Sequence, residues 1–357
     1  MVVGLSGGVD SSVAAAILVE EGYDVVGATL VLWGEGRGED EVFETVRAAR
    51  EVASFLGITH RWIDLRGFFQ KKVIDYFVEE YRRGRTPNPC VVCNQQVKFS
   101  ALWDLAKEVG AGNVASGHYG RVVFNQEHGR YTVCRPVDKK KDQSYVLYGL
   151  SQQLLSRLLL PLGSRTKEEV RAKAAEWGLP VAQRPESQEI CFVPSGDYRS
   201  FLKEKLGEVP PGPFLNLKGE KVGEHAGIPF YTIGQRRGLG VALGSRMYVV
   251  DIDPRKNAIT LGPQEAVLSR GLLASGLNLL LYDDPPAWLE VEAKIRYNAA
   301  PAKALVRFLG EGWVRVEFDE PQHAVTPGQA VVFYRGDCLV GGATIEKSYK
   351  KHCGVPK

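Results

Sequence analysis

The segment Ser6-Gly7-Gly8-Val9-Asp10-Ser11-Ser12 constrains this chain more than any other. It follows an apolar run, residues 1–5, that predicts a buried strand. An Ala-rich stretch, residues 13–21, predicts a helix that stops at Gly22. A glycine-bearing turn therefore joins a strand to a helix N-terminus. Such a turn aims backbone N–H groups and the positive end of the helix dipole at one point, which suits an anion. Gly7 and Gly8 let the backbone approach phosphate oxygens closely. Ser6, Ser11 and Ser12 add hydroxyls, and Asp10 offers a carboxylate to Mg²⁺ or to the loop itself. An ordinary serine-capped turn explains so dense a set of Gly, Ser and Asp poorly.

The rest of the first 120 residues alternates in the same way. Residues 24–33, 58–65 and 113–117 read as strands, and 39–56, 67–83 and 97–109 as helices, with Phe68, Val73, Phe77 and Val78 on one side of the second helix. This is the pattern of an α/β, doubly wound parallel sheet, whose ligands sit beyond the carboxyl ends of the strands. The Ser6 loop, Leu30 and Ser116-Gly117-His118 all lie at such ends. After residue 120 a hairpin near 131–137 and short helices at 152–159, 166–177 and 197–206 are expected. Val209-Pro210-Pro211-Gly212-Pro213 marks an edge. Beyond it the pattern is β. Residues 247–252 and 258–261 flank a turn, 290–297 alternates, and short strands follow at 304–309, 313–318, 329–334 and 338–345, as in a small barrel or sandwich. The expected units are 1–205, an α/β catalytic unit; 206–271, a central β-rich unit; and 272–357, a C-terminal β-barrel.

The nucleotide loop lacks the Gly-Lys-Ser/Thr ending of a Walker A motif and is not G-x-G-x-x-G. It resembles the pyrophosphate loop of the N-type ATP pyrophosphatases. The resemblance implies cleavage of ATP between its α and β phosphates and adenylation of a substrate oxygen. A second feature is Thr86-Pro87-Asn88-Pro89-Cys90-Val91-Val92-Cys93-Asn94, whose prolines stiffen a loop ahead of a helix expected from Val97. A nearby helix N-terminus lowers a thiol pKa, so Cys93 is expected to form thiolate. No second C-x-x-C accompanies it, so a zinc ribbon is excluded. Cys191, between apolar neighbours, reads by itself as a buried core thiol.

No apolar run reaches the roughly 20 residues of a membrane helix, and a strand is expected from the first residues, so neither membrane nor leader is expected. A cytoplasmic, reducing location then follows, where structural disulfides are rare. Cys134 and Cys338 read as core residues and Cys353 as incidental, and the scattered histidines suggest no metal site. A net charge of +3 excludes a uniformly basic coat. It leaves local patches at Arg82-Arg83-Gly84-Arg85, Lys139-Lys140-Lys141, Gln235-Arg236-Arg237 and residues 347–357.

Taken together, the motifs resemble those of the tRNA-specific 2-thiouridylase family, which places sulfur on C2 of the wobble uridine. The matching pieces are residues 4–12, Gly84-Arg85-Thr86-Pro87-Asn88-Pro89 with Cys93-Asn94, and Ser116-Gly117-His118-Tyr119. They continue with Lys141-Asp142-Gln143-Ser144-Tyr145, Ile190-Cys191-Phe192, Gly234-Gln235-Arg236-Arg237-Gly238-Leu239-Gly240 and Thr326-Pro327-Gly328-Gln329. The resemblance implies ATP contacts from Gly4, Leu5, Ser6, Gly7, Gly8, Val9, Asp10, Ser11, Leu30 and Gly117. It implies that Asn88, Pro89 and Cys90 face the target base, and that Lys141, Asp142, Gln143, Arg296, Tyr297 and Gln329 contact tRNA. His118 is expected at phosphate or RNA, with a structural role equally open. Cys191 would carry a persulfide sulfur, and Cys93 would be the partner thiol that closes a transient disulfide with it. ATP with Mg²⁺, a wobble-uridine tRNA and a persulfide-carrying donor protein are implied, acting with a monomeric enzyme. One departure matters: the family pattern has Asp where this chain has Cys90. Cys90, Cys93 and Cys191 thereby become an alternative ligand set for a [4Fe–4S] cluster. Two other functions stay open: a different adenylating ligase of the ATP pyrophosphatase class, and an RNA-binding or iron–sulfur protein with a non-catalytic loop.

Overall fold

A computed structural model describes residues 1–34, 39–185, 190–193, 196–241 and 245–350. A five-stranded parallel sheet, in spatial order Thr59–Asp64, Val26–Val31, Val2–Gly4, Val114–Ala115, Leu158–Leu159, forms the first layer system. Val2 and Val3 are both fully buried but belong to different apolar clusters, one on each face of the sheet. That explains why this strand reads as continuous apolar sequence rather than alternation. The strand order reverses beside Val2–Gly4, so a crevice opens beyond its carboxyl end and that of Val114–Ala115. The Ser6 loop leaves the first of these strands and the Ser116–His118 turn leaves the second.

The helix Val9–Glu20 is buried along most of its length, from Val9 through Leu18. It lies in one apolar cluster with Val170 and Ala174 of the helix Lys167–Glu176. The helix Glu39–Phe55 covers Val26–Val31 and Thr59–Asp64. The region 67–83 is helical throughout, but a π turn at Gln70–Ile74 shifts its phase. Phe69 is therefore the buried ring, and Phe68, expected inside, is 45% exposed.

Two expected elements are corrected. The run 152–159 is a helix only over Gln152–Leu155; Leu158–Leu159 is the fifth parallel strand. The Val114 N–H donates to the Arg157 carbonyl at 2.9 Å, and this edge pairing overrides the helical bias of a Leu-rich run. The helix expected at Val97 starts at Pro89 and continues through a π turn, Asn94–Lys98, into Phe99–Glu108. Asn88 caps it, accepting from Val91 N–H at 3.3 Å, with Pro89 in the first helical position.

Beyond residue 206, Tyr248–Asp253, Ala258–Gly262, Gly212–Leu215 and Lys221–His225 form a four-stranded sheet. The strands Leu268–Leu279, Trp313–His323, Ala302–Gly310, Trp288–Lys294, Ala330–Arg335 and Cys338–Tyr349 then close into a six-stranded antiparallel barrel. Leu268–Leu279, missed in the sequence, pairs with both neighbours through register shifts that break its alternation. Gly271 sits there because a Cβ would stand 2.4 Å from the Tyr349 ring.

The hairpin Arg121–Asn125/Arg130–Cys134 extends the barrel edge, pairing Cys134 with Cys338. These two cysteines form a disulfide, which corrects their reading as plain core residues and makes them an instance of the structural disulfide expected to be rare. Cys353, residues 351–357 of the basic tail, and Glu186–Glu189 ahead of Cys191 lie outside the described residues. Among the described residues no helix is long and apolar enough to cross a membrane.

Candidate active site

Gly7 adopts φ +70°, and a Cβ there would meet Thr45 O and Ala48 Cβ at 3.2 Å, so only glycine makes this turn without strain. Gly8 is the helix N-cap with no side-chain cap, which leaves the first turn's amides for a ligand. The serines brace the loop. Ser11 and Ser12 hydroxyls donate to Gly8 O at 3.1 and 2.9 Å, and Ser6 N–H donates to Ser11 Oγ at 3.1 Å. The Arg184 guanidinium donates to Gly7 O at 3.1 Å. Gly117 packs directly on the loop, since a Cβ would lie 2.7 Å from Ser11 N and 2.8 Å from Asp10 C. Gly4 and Leu5 lie beneath, and half-buried Leu30 lies at the end of the neighbouring strand.

Asp10 is oriented rather than free. Its Oδ1 accepts from Tyr119 Oη at 2.8 Å and Lys167 Nζ at 2.6 Å. Lys167 is buried, and burying a charged side chain is costly without such a partner. It opens a helix fixed by a Thr166–Glu169 capping box, and its N–H donates to Asp138 at 3.0 Å. Tyr119 is 2% exposed, which excludes it as a stacking platform for a base. His118 bonds Ser116 Oγ through Nδ1 at 2.9 Å and packs on Phe99. Burial, aided by the Lys98 charge, lowers its imidazole to about 3, so it is neutral at physiological pH.

The cysteines converge. Phe192 is fully buried and packs edge-on against Phe69 and Phe77 at 5.6 and 5.2 Å, in the same apolar cluster as Cys93. This anchor leaves Cys191 exposed, not buried in the core as its neighbours suggested. Cys93 lies one turn inside its helix and is buried. Burial pushes its thiol up to about 12, with Cys191 and Cys90 adding to the rise and Lys98 opposing it. That overturns the expected thiolate: a helix N-terminus acts within its first turn, and here desolvation wins. Cys90 is exposed as well, yet desolvation by the protein around them raises both Cys90 and Cys191, again opposed by Lys98. The three thiols therefore sense one another and one ammonium. Among the described residues no three His, Cys, Asp or Glu side chains close on a point as cation ligands. In a [4Fe–4S] cluster each thiolate binds its own iron rather than a shared point, so Cys90, Cys93 and Cys191 keep the composition of a three-thiolate cluster site.

Three family profiles cover the chain in order: a tRNA methyl transferase HUP domain over residues 1–195, a tRNA methyl transferase PRC-barrel domain over 199–263, and an aminomethyltransferase beta-barrel domain over 269–345. The tRNA-specific 2-thiouridylase MnmA of Pelotomaculum thermopropionicum is 56% identical over 98% of this chain and 97% of its own. That of Carboxydothermus hydrogenoformans is 54% identical over 97% of both. This chain belongs to the tRNA-specific 2-thiouridylase family.

Of the residues that this 2-thiouridylase family suggests for RNA, Tyr297 and Asp142 are the ones tied to a thiol. Burial raises Tyr297, on the barrel, and the charges of Asp142 and Cys90 add to the rise, which places all three together. Tyr297 also packs edge-on to Tyr145 at 6.0 Å. Asp142 accepts from Ser144 N–H and Oγ, and Gln143 Oε1 accepts from Tyr119 N–H at 2.8 Å, so both also hold the fold. Gln329 donates to Thr86 O and Pro87 O at 2.9 and 3.1 Å, so its amide is occupied by the loop before Asn88 and Pro89. Lys141 ends a one-turn helix capped by Asp138, and Arg296 is exposed beside Tyr297. Lys167, Lys98 and Arg184 were not found from the sequence. Only the Thr166-x-x-Glu169 capping signature hinted that Lys167 opens a helix.

Proposed function

We propose that this 2-thiouridylase adenylates O2 of the wobble uridine 34 of tRNA with ATP and replaces that oxygen by sulfur passed through Cys191 and Cys93. The carrying observation is that Cys93 packs in one apolar cluster with Ile190 and Phe192, the neighbours of Cys191 98 positions away in sequence, and that the Lys98 charge acts on Cys93, Cys191 and His118 alike.

The C2 oxygen of uracil is a poor leaving group. O2 attacks the α-phosphorus of ATP and pyrophosphate departs, so that O2 carries the adenylyl group and can later leave as AMP; Mg²⁺, which Asp10 would hold, would neutralise charge on the departing phosphates. Residues Gly4 to Ser11, with Leu30 and Gly117, line the nucleotide, and Lys167 and Tyr119 aim Asp10 at it. The base leaves the anticodon stack to reach Asn88, Pro89 and Cys90, at a cost of about a few kcal/mol.

Exposed Cys191 takes a terminal sulfur from a persulfide donor protein. That sulfur attacks C2 and expels AMP, leaving C2 joined to Cys191 through a disulfide. Cys93, deprotonated at that stage, attacks the Cys191 sulfur. The Cys93–Cys191 disulfide forms, and the S–S electron pair leaves on the 2-thiouridine. A reductant then restores both thiols. A buried, protonated Cys93 suits this order, because it stays inert until the last step.

Lys141, Asp142, Gln143, His118, Arg296, Tyr297 and Gln329 form the tRNA side. We take the working units as 1–205, 206–271 and 272–357, with Leu268–Leu279 crossing the second border, in a cytoplasmic monomer. The test is mass analysis of tRNA nucleosides after incubation with protein, ATP, Mg²⁺ and a persulfide or sulfide source. An ATP-dependent exchange of oxygen for sulfur at uridine 34 is expected. Its absence ends this reading, and activity surviving Cys93→Ser and Cys191→Ser points to a ligase instead.

A further inference from the structure

The motif Gly234 to Gly240 has no part in the chemistry above, yet it lines an open groove of about 780 Å³. Arg199, Arg236 and Arg237 line it with Tyr198 and Thr232, and a second hollow of about 510 Å³ shares Arg236 and adds Arg246. No carboxylate is among the lining residues of either hollow. Among the described residues no ion pair forms on Arg236, Arg237 or Arg246, whereas Arg199 lies over the Tyr231 ring at 5.6 Å and its charge reaches Asp197.

The backbone under them is held in place. Gly234, Gly238 and Gly240 take φ +86°, +69° and +74°. The Gln235 amide accepts from Thr232 N–H at 3.1 Å and donates to Arg237 O at 3.0 Å, while Gly234 N–H donates to Val249 O at 2.8 Å and Val249 N–H to Gln235 O at 2.9 Å. Side-chain charge left unpaired on a fixed loop is a binding device, because the ordering is complete before the ligand arrives.

Two contacts tie the groove to the thiol pocket. The Thr86 hydroxyl donates to Thr232 Oγ1 at 3.1 Å, joining the groove wall to the loop that carries Asn88 and Pro89. Leu239, inside the motif, is buried in the apolar cluster of Cys93 and Phe192. A chain whose base enters the thiol pocket therefore passes this rim. Guanidinium forks match phosphate oxygens two at a time.

We infer that this arginine groove binds backbone phosphates of the tRNA next to the base being modified. The inference rests on the tRNA reading above and adds a phosphodiester site to it. It sets the affinity and register of the RNA and leaves the chemistry to the cysteines.

The test compares wild type, Arg236→Ala/Arg237→Ala and Arg236→Lys/Arg237→Lys. Both positions are exposed, so folding is not at risk. For the Ala pair, tRNA affinity and KM for tRNA should weaken about tenfold or more. The log–log salt slope of binding should fall by roughly 1 per arginine, and kcat at saturating tRNA should hold. The Lys pair should keep the salt slope and recover part of the affinity. Unchanged KM and slope in an Ala pair that still thiolates would overturn the phosphate site. Loss of sulfur transfer from a donor protein, with tRNA binding and sulfide-fed activity intact, would overturn it too, assigning the groove to an acidic protein partner. Wild type that binds tRNA but never thiolates it would count against the broader function, not against this site.

Discussion

Asp10 and Lys167 stand 157 residues apart in sequence, and their ion pair at 2.6 Å decides how the nucleotide loop presents its carboxylate. Lys167→Met keeps the bulk but removes the ammonium; pyrophosphate release should fall about 10²–10³-fold, the loss typical of a positioned electrostatic group. tRNA binding measured in parallel should be unchanged, and equal loss of both would remove Lys167 from ATP chemistry. The thiols make a pH prediction. Cys93 is an acid raised to about 12 by burial, so the folded state favours the protonated form. Its alkylation in the resting enzyme should climb roughly tenfold per pH unit well beyond the ordinary thiol range of about 8.5. A plateau near pH 8 by peptide mapping would refute a desolvated Cys93. His118 is a base lowered to about 3. Its contribution to stability is whole above about pH 6.5 and drains away as pH falls from there toward 3. His118→Gln should therefore flatten the acid arm of a stability–pH curve, and an unaltered arm would mean that the imidazole protonates freely when folded.

At the scale of elements, the Ser116–His118 turn is pressed onto the start of the first helix. Gly117→Ala forces a Cβ to within 2.7 Å of Ser11 N, 2.8 Å of Asp10 C and 2.9 Å of Ser11 Cα, all of them backbone. A loss on the order of 1–3 kcal/mol in stability, with adenylation lost first, is expected from thermal melts and pyrophosphate assays. What the sequence revealed follows from locality. The strand–turn–helix around Ser6, the alternation along residues 290–297 and the Pro-rich edge near 210 are written in consecutive residues, and each appears in the fold. Leu158–Leu159 was misread because its pairing with Val114 is a long-range edge contact that no local pattern announces. Asn88-Pro89 is a cap followed by proline in the first helical position, a legible start obscured by reading two prolines as a loop. Lys167 and Lys98 matter through partners distant in sequence, so a lysine on a helix reads as surface until the fold is known. The thiolate expectation failed for a related reason, since the burial of Cys93 is created by Phe192 and its aromatic neighbours from other segments.

Across the whole molecule, the barrel is built into the catalytic side rather than hung from it. Thr86 N–H donates to Pro327 O at 2.9 Å, Gln329 holds Thr86 and Pro87, and Arg85 bridges Glu80 and Glu346. The hairpin Arg121–Cys134 comes from the first unit in sequence but completes the barrel edge in space, where Cys134 and Cys338 join across 204 positions. Such a link constrains the unfolded chain and is worth on the order of 2–4 kcal/mol. Its neighbours share the load, because Thr132 Oγ1 donates to Leu339 O at 2.6 Å and Arg135 N–H to Asp337 O at 2.8 Å. The lower end of that range is therefore expected. Cys134→Ser/Cys338→Ser should melt several degrees lower while thiolation per folded molecule is preserved, since neither sulfur lies among Cys90, Cys93 and Cys191. Denaturing alkylation without reductant should label every cysteine except these two. Labelling of Cys134 and Cys338 in freshly isolated protein would show that the hairpin is held by hydrogen bonds alone. Loss of thiolation in a stably folded double variant would mean that the barrel edge takes part in placing the RNA.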